Sequence, residues 1–332
     1  MLGFDLTRAP SCFSDFVDGA ARAGEDIATA LRLAAAHGAR LPLPGSGQTL
    51  VRWAVLAAAA RANLTVARVV EAHTDALAIL AEAGQKTPSG ATWGVFAAEA
   101  PDSRLEATTT DGQTTLSGIK PWCSLGAELD RALVTAHPGP ERQLFQVDLR
   151  QPAVRAHAAQ GWVARGLRTV VSVPVEFDRA PAEPVGGPGW YLRRPGFAWG
   201  GIGVAACWYG GAVGLADAVT RSAAHRARDL TALHVGTVDV ALHAARSTLR
   251  EAAAAIDAGT VDDPELLALR VRSVVADAAE RVLHQARHAL GPAPLAFDAG
   301  HAARVADLEL YVRQHHGERD LAELGRRVTQ QR

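Results

Sequence analysis

The chain has few lysines, few cysteines and a single methionine. Only Lys86 and Lys120 are lysines, so 34 − 2 = 32 of its basic residues are arginines, and we interpret this bias, with the abundance of alanine, as compositional. The 34 basic residues face 35 acidic ones, which gives a net charge of -1. Because no excess of positive charge is available to neutralise phosphates, the sequence predicts no nucleic-acid partner.

The cysteines, the first residues and the apolar runs indicate in which cellular compartment the protein acts. Cys12, Cys123 and Cys207 are an odd number, widely spaced and without a C-x-x-C pair, which argues against a disulfide framework and a structural zinc. The first residues lack the basic start and apolar run of a secretory signal. The least polar segment, 197–219, contains six glycines and Asp217, so we expect a buried core helix and no membrane span. A cytoplasmic protein is therefore predicted.

The apolar spacing changes twice along the 332 residues. Residues 24–83 have a helical period interrupted by LPLPGSGQT, which we interpret as a loop, and Arg68 and Glu71 fall outside the apolar stripe of this region. Residues 93–190 alternate like short strands, and the helical period returns after Pro195. The sequence thus predicts an α+β protein with an N-terminal helical domain (1–88), a β-barrel-like domain (89–195) and a C-terminal helical bundle (196–332).

Local signals place one helix of the bundle and suggest an assembly. The Asp262-Asp263-Pro264-Glu265 segment is typical of a helix start, and Gly291-Pro292 is typical of a stop. Between these signals, apolar residues occur on more than one face of the helix, and burying all of them within one chain is difficult. They are Leu266, Leu267, Leu269, Val271, Val274, Val275 and Val282. We therefore expect a homodimer or a homotetramer formed through residues 200–332.

Several common chemistries are excluded by missing motifs. The sequence has no G-x-x-x-x-G-K-[ST], no G-x-S-x-G, no H-E-x-x-H, and no G-x-G-x-x-G after a strand. No histidine pairing with metal-ligand spacing was identified, so no metal site is predicted.

One segment of the predicted β domain, LSGIKPWCSLGAELDRALVTA, resembles the strand pair of acyl-CoA dehydrogenases. The matching positions are Leu116, Gly118, Lys120, Trp122 and Ser124. Further matches are GLRTVVSVPVEFD at 166–178, Pro184, and GAVGLADAV at 211–219. The resemblance covers roughly residues 40–332, and it implies a flavoprotein with that family's three-part fold.

In that family this strand forms a wall of the flavin site. The resemblance implies that the Trp122 indole covers one face of the flavin ring and that Ser124 meets its N5 edge. If the strand is extended, residues two apart share a face, so both side chains would point the same way. Phe96 and Ala98 fall on the family's flavin loop, with Ala98 in place of a threonine. The alternative interpretation is a tryptophan packed in the β core with a serine in a turn.

The sequence departs from the family where that family keeps its catalytic glutamate. Aligning Asp307 with the family's aspartate brings His315 to the position of the base, and the second known position of the base falls near Val204. If 315–318 is helical, Glu318 stands close enough to His315 to orient its imidazole. A histidine in this region is similar to that of a monooxygenase branch of the superfamily. The alternative is a solvated helix without a catalytic role.

The residues expected to bind the pyrophosphate of the cofactor also depart from the family pattern. Arg226 and Arg228 are the candidates to meet the pyrophosphate of FAD, but the family's phenylalanine-glycine turn is missing. The resemblance therefore implies FAD, with FMN or no flavin as alternatives. We predict an acyl-CoA dehydrogenase-like flavoprotein oxidoreductase acting on an acyl-CoA or similar apolar substrate, acyl or aromatic. The alternatives are a flavin-dependent monooxygenase that uses the histidine, and a non-catalytic oligomeric scaffold.

Overall fold

The computed structural model describes residues 6, 8–101, 103–225 and 229–330. The first part of the chain is helical, as predicted. Its helices are α1 (Ser14–Arg22), α2 (Ile27–His37), α3 (Thr49–Ala62) and α4 (Leu64–Glu82). Asp26 and Asn63 cap α2 and α4, because each side chain accepts a hydrogen bond from a free backbone N–H of the first turn. The predicted loop, LPLPGSGQT, is confirmed for residues 41–48, and its last residue, Thr49, begins α3.

The middle of the chain forms one seven-stranded sheet. Its strands are β1 (Trp93–Phe96), β2 (Leu105–Thr110), β3 (Gln113–Ser124), β4 (Arg131–Ala136), β5 (Gln143–Asp148), β6 (Val154–Ala156) and β7 (Ser172–Val185). The strand order is β1-β4-β5-β7-β3-β2, with β6 paired to β7. Only β1 and β4 are parallel neighbours in this described sheet.

The sheet curls until its far edge meets β4 again. At the start of β2, the Ala107 N–H donates to the carbonyl of His137, and the His137 N–H donates to the carbonyl of Leu105. His137 directly follows β4, so these bonds join the β2 edge to the other side of the sheet. This closure gives the barrel-like shape that the sequence predicted.

The last part is a helical bundle. Its helices are α5 (Trp190–Arg193), α6 (Pro195–His225), α7 (Asp229–Asp257), α8 (Pro264–Leu290), α9 (Ala293–Phe297), α10 (Ala299–Tyr311) and α11 (Glu318–Gln330). The predicted start and stop of α8 are confirmed: Asp263 accepts a hydrogen bond from the Leu266 N–H, and Gly291 ends the helix with a φ of 70°.

Helix α6 is the centre of the bundle. By length and composition alone it could cross a membrane, but 83% of its most apolar stretch is buried inside the protein, as expected for a core helix. It packs against α3, α4, α7, α8 and α10. The main hydrophobic core contains residues from all three predicted domains, so the division at 88/89 and 195/196 stays a prediction.

Four of the seven residues that form the predicted apolar stripes of α8 are buried within the chain itself, whereas Leu267 and Leu269 are half-buried and Val274 is exposed. Leu266, Val271, Val275 and Val282 are all buried, in contacts that α8 makes with α6, α7 and α11. The buried four need no partner subunit, and the predicted assembly stays a prediction. A different set of apolar side chains, on α7, is exposed: Leu230, Leu233 and Val240.

Candidate active site

The strand that carries the predicted flavin wall is not extended at its end. Trp122 has a φ of 57°, and the register between β3 and β7 shifts between Lys120 and Cys123. A bulge of this kind breaks the alternation of side chains. The expectation that Trp122 and Ser124 share a face because they are two residues apart is therefore wrong.

The two side chains have different surroundings. The Trp122 indole is 63% exposed, an unusual state for so large an apolar group. Ser124 is half-buried, and its hydroxyl lies 2.8 Å from the hydroxyl of Ser172 on β7. The Arg68 Nη2 group of α4 donates to the same Ser124 hydroxyl over 3.3 Å. Ser124 thus links the β sheet to the helical part of the protein.

Arg68 and Glu71, which fall outside the apolar stripe of α4, nevertheless lie inside the protein. Helix α4 packs against α2, α3 and α6 and against β1, so more than one of its faces is covered. Nη1 of Arg68 donates to Glu71 Oε2 over 3.3 Å, and the two side chains are only 14% and 9% exposed. A buried ion pair therefore stands directly behind Ser124.

Tyr311, at the end of α10, completes this group. Its hydroxyl donates to Glu71 Oε2 over 3.2 Å, and the Arg68 guanidinium lies 5.9 Å from the centre of its ring. Burial raises the pKa of Glu71 to about 7, although Arg68, the Tyr311 hydroxyl and Arg52 favour the ionised carboxylate. We refer to Arg68, Glu71, Ser124 and Tyr311 as the buried polar cluster.

Sequence reasoning missed three members of this cluster. An Arg-Glu pair three residues apart on a helix usually marks a solvated face, and nothing local to α4 shows that α10 supplies a tyrosine there. Tyr311 lies 240 residues after Glu71 in the chain. The cluster therefore forms only through tertiary packing.

Phe96 and Ala98, the other predicted flavin residues, differ in their exposure to solvent. Phe96 ends β1 and is buried, whereas Ala98 is exposed in the following loop. Phe96, Arg68 and Ser124 line the same cavity between α4 and the sheet, and this cavity has a volume of about 20 Å³. A single water needs about 10–15 Å³, so the cavity has room for one or two waters.

His315 is not on a helix. The chain leaves a 3-10 turn (Val312–Gln314) at His315, Gly317 has a φ of 56°, and α11 starts only at Glu318. The predicted helical spacing from His315 to Glu318 is therefore wrong, and Glu318 is exposed. The carboxylate nearest to His315 is that of Asp320, whose Oδ2 lies 3.7 Å from Nε2.

His315 nevertheless points inward, and its neighbour His316 is exposed. The side chain of His315 is 8% exposed, its Nε2 lies 3.1 Å from the Ser273 hydroxyl, and the Trp208 ring is 6.3 Å away. Burial lowers its pKa, against the opposing effect of Asp320. No contact joins His315 to Ser124 among the described residues; Trp208 lies between His315 and Tyr311.

The residues around Ser124 suit the ring of a flavin. A flavin needs a flat apolar cover and a hydrogen-bonding group at its N5 edge, which an exposed indole and a serine hydroxyl provide. The uncovered Trp122 indole is the observation that supports this fit, because a bound ring would bury it. Arg226 and Arg228, the candidates for the pyrophosphate, lie outside the described residues.

Histidines also cluster on the bundle surface. His284 and His288 are one turn apart on α8, a spacing that the sequence analysis overlooked, with ring centroids 4.4 Å apart. Among the described residues, no group of three or more histidine, cysteine, aspartate or glutamate side chains is arranged to hold a metal ion.

Comparisons with known proteins agree with this fold. Residues 187–318 match the family described as "Acyl-CoA dehydrogenase, C-terminal domain". The structure is similar to butyryl-CoA dehydrogenase from Megasphaera elsdenii, with a TM-score of 0.82 and 17% identity over 99% of this chain and 100% of that one. It is also similar to glutaryl-CoA dehydrogenase from Mycobacterium smegmatis (TM-score 0.80, 18% identity, 96% and 95% covered). No match was found among curated proteins.

A monooxygenase has the same fold. FMN-bound TdsC from Paenibacillus sp. A11-2 superposes with a TM-score of 0.79 at 17% identity, with 96% of each chain covered. TdsC is described as a dibenzothiophene monooxygenase. The fold is therefore that of acyl-CoA dehydrogenase-like flavoproteins. Residues 187–318 thus resemble the C-terminal domain of acyl-CoA dehydrogenases in sequence, and the whole chain is similar to them in fold.

Proposed function

We propose that this protein is a flavin-dependent oxidoreductase of the acyl-CoA dehydrogenase type. Trp122 and Ser124 would hold the ring of a bound flavin, the indole as its apolar cover and the hydroxyl as the hydrogen-bonding group for N5. The observation that carries the proposal is the exposed Trp122 indole, an apolar surface that a bound flavin ring would cover, while the Ser124 hydroxyl, which meets a buried guanidinium, is the hydrogen-bonding group at the end of the same strand. A bound flavin would supply hydride transfer, while Trp122 and Ser124 hold its ring and Arg68 places a positive charge behind Ser124.

The flavin is FAD or FMN. FAD follows from the resemblance to acyl-CoA dehydrogenases, and FMN is supported by the FMN-bound structure of TdsC. The substrate is a small acyl or aromatic molecule that enters between the sheet and the bundle. We also propose, from the sequence alone, that the protein acts in the cytoplasm and that it forms a homodimer or homotetramer.

An absorbance experiment tests this function. Purified protein is incubated separately with FAD and FMN, passed through a desalting column and scanned across the flavin bands, and any released nucleotide is identified. A yellow protein with about one flavin per chain is expected. If the protein stays colourless after both incubations, the proposed function is wrong and the non-catalytic scaffold is the better interpretation.

A flavin-dependent monooxygenase is the second candidate. The observation that favours it is His315, a buried imidazole held by Ser273 and Asp320 in a fold shared with a dibenzothiophene monooxygenase. Labelled dioxygen separates the candidates once a substrate is found. An oxygenase product contains the label, whereas a dehydrogenase product differs from its substrate by two hydrogens and contains none.

A further inference from the structure

The Arg68 guanidinium has more donors than its protein partners use. A guanidinium carries five N–H groups, and within the described part of the chain its recorded hydrogen bonds go to Glu71 and Ser124. Both are 3.3 Å long, whereas charge-assisted bonds from arginine are usually about 2.7–2.9 Å. The pairing with Glu71 uses one nitrogen instead of two. Arg68 is therefore an incompletely satisfied cation at the rim of a cavity.

The cavity beside Arg68 is otherwise apolar. Beyond Arg68 and Ser124, its lining comes from apolar side chains and one glycine: Val69, Ala72, Trp93, Gly94, Val95, Phe96, Leu125, Leu129 and Val170. In such surroundings the guanidinium and the serine hydroxyl are the groups that can orient a ligand. The volume of about 20 Å³ accommodates one or two waters. The two oxygens of a carboxylate can replace these waters.

The counter-ion of Arg68 is easily neutralised. Glu71 holds its proton up to a pH of about 7, because burial disfavours the carboxylate. Charged or titratable groups face it from six helices: Arg52 on α3, Arg68 and Asp75 on α4, Tyr191 on α5, Cys207 on α6, Arg272 on α8 and Tyr311 on α10. Near neutral pH, protonation of Glu71 costs little and leaves Arg68 without its partner charge.

We propose that Arg68 binds a carboxylate of the substrate beside Ser124, and that Glu71 takes up one proton from solvent as this anion binds. The substrate is thus a small molecule with a carboxylate at the end that enters this cavity. The identity of this anion as a substrate group depends on the proposed function; the anion site itself does not.

Binding of simple carboxylates tests the site in flavin-free protein. Formate and acetate are titrated against the protein at constant chloride, with formamide and acetamide as neutral isosteres, and bound ligand is followed by NMR. We expect acetate to bind about tenfold more weakly at pH 8 than at pH 6, because Glu71 is mostly ionised at pH 8. The amides should not bind. Calorimetry in two buffers of different ionisation enthalpy should show net proton uptake at pH 7.

Variants identify the residues responsible. Arg68→Gln should remove acetate binding, and Arg68→Lys keeps the charge and tests the site if Arg68→Gln does not fold. Glu71→Gln should keep binding, abolish proton uptake and make the affinity the same at pH 6 and pH 8. Arg281→Gln, which breaks an exposed ion pair with Asp277 on α8, is the matched control and should leave acetate affinity and proton uptake unchanged.

Each other result overturns the inference. No binding of formate or acetate, binding unchanged in both Arg68 variants, or a pH dependence that persists in Glu71→Gln would each show that the cavity is not an anion site. Flavin binding is measured separately by absorbance on the same preparations. Protein that binds flavin but no carboxylate contradicts only this inference, and protein that binds carboxylate but no flavin contradicts only the proposed function.

Discussion

The hydroxyl of Tyr311 donates a hydrogen bond of 3.2 Å to Oε2 of Glu71, and so joins the end of α10 to the middle of α4. The same carboxylate oxygen accepts from Arg68, which reaches Ser124 on β3. Three parts of the chain therefore meet at one carboxyl group. Its protonation state affects both the stability of the fold and the charge behind the proposed flavin site.

Glu71 should make stability depend on pH. Its pKa rises from an ordinary value of 4.5 to about 7 in the folded protein, so the folded state binds the proton more tightly than the unfolded state. Its contribution to stability is therefore complete below pH 4.5 and is lost as pH rises to about 7. Relative to Glu71→Gln, the wild type should lose on the order of 3 kcal/mol of unfolding free energy between pH 4.5 and pH 7.5.

Urea unfolding of both proteins across this pH range measures the difference. Tyr311→Phe serves as a second variant: without the hydroxyl that favours the carboxylate, the pKa of Glu71 should rise further, so the loss should again begin near pH 4.5 but continue to a higher pH and be larger. A constant difference between wild type and Glu71→Gln at all pH values would contradict the burial of Glu71 shown by the structure.

Trp122 should contribute to flavin affinity but little to folding. Because its indole is 63% exposed, Trp122→Ala removes few contacts within the protein. If the indole covers the ring, the loss of stacking should weaken flavin binding by about 1–3 kcal/mol, or roughly 5- to 150-fold in Kd. Fluorescence titration with FAD and FMN measures the affinity, and the melting temperature reports folding. Phe297→Ala, which removes another exposed aromatic ring, is the control. Equal flavin affinity in wild type and Trp122→Ala would show that the ring lies elsewhere.

His315 and His316 should differ strongly if His315 is the base. Burial lowers the pKa of His315, so its neutral form is present below the usual imidazole range and turnover should rise with pH below about 6.5. His315→Gln should reduce turnover by about a hundredfold or more with flavin still bound. His316→Gln should have a small effect, because that side chain is exposed. Similar small effects at both positions would argue that this segment has no catalytic role.

The local signals in the sequence predicted much of the fold but little of the site. Asp263 and Gly291 act through their own backbone neighbours, so the ends of α8 could be read directly. The bulge at Trp122 depends on pairing with β7, and the burial of Glu71 depends on α6 and α10. Such features arise from segments far apart in sequence, so the apolar stripe of α4 alone does not reveal that Arg68 and Glu71 are buried. The turn at His315 depends on the left-handed conformation of Gly317, which the helical spacing of the surrounding residues does not reveal.

The exposed apolar residues of α7 should form a contact between subunits. Leu230, Leu233 and Val240 are 72%, 61% and 69% exposed and lie on one side of the helix. We expect light scattering to give at least twice the monomer mass, and Leu233→Glu to shift the protein toward the monomer by placing a charge in the contact. Val163→Glu, at an apolar side chain exposed in the loop before β7, is the control. A monomer mass for the wild type across dilution would show that these residues face solvent.

Two glycines of α6 should respond in opposite ways to alanine. Gly210 packs so closely on α3 that an added methyl group would overlap the backbone carbonyl of Ala57, and a backbone atom cannot rotate away as a side chain does. At Gly203 the nearest atom to an added methyl group would be Leu56 Cδ1 at 3.8 Å, which is an ordinary contact. Alanine favours a helix over glycine by about 1 kcal/mol, so Gly203→Ala should be neutral or stabilising by up to that amount. Gly210→Ala receives the same benefit but must separate α6 from α3, and overpacking of this kind typically costs about 1–3 kcal/mol or more.

Chemical unfolding of both variants at one pH compares them directly, and because the substitution is identical, helix propensity cancels in the difference. Gly210→Ala as stable as Gly203→Ala would contradict the close contact between α6 and α3 on which the centre of the bundle is built.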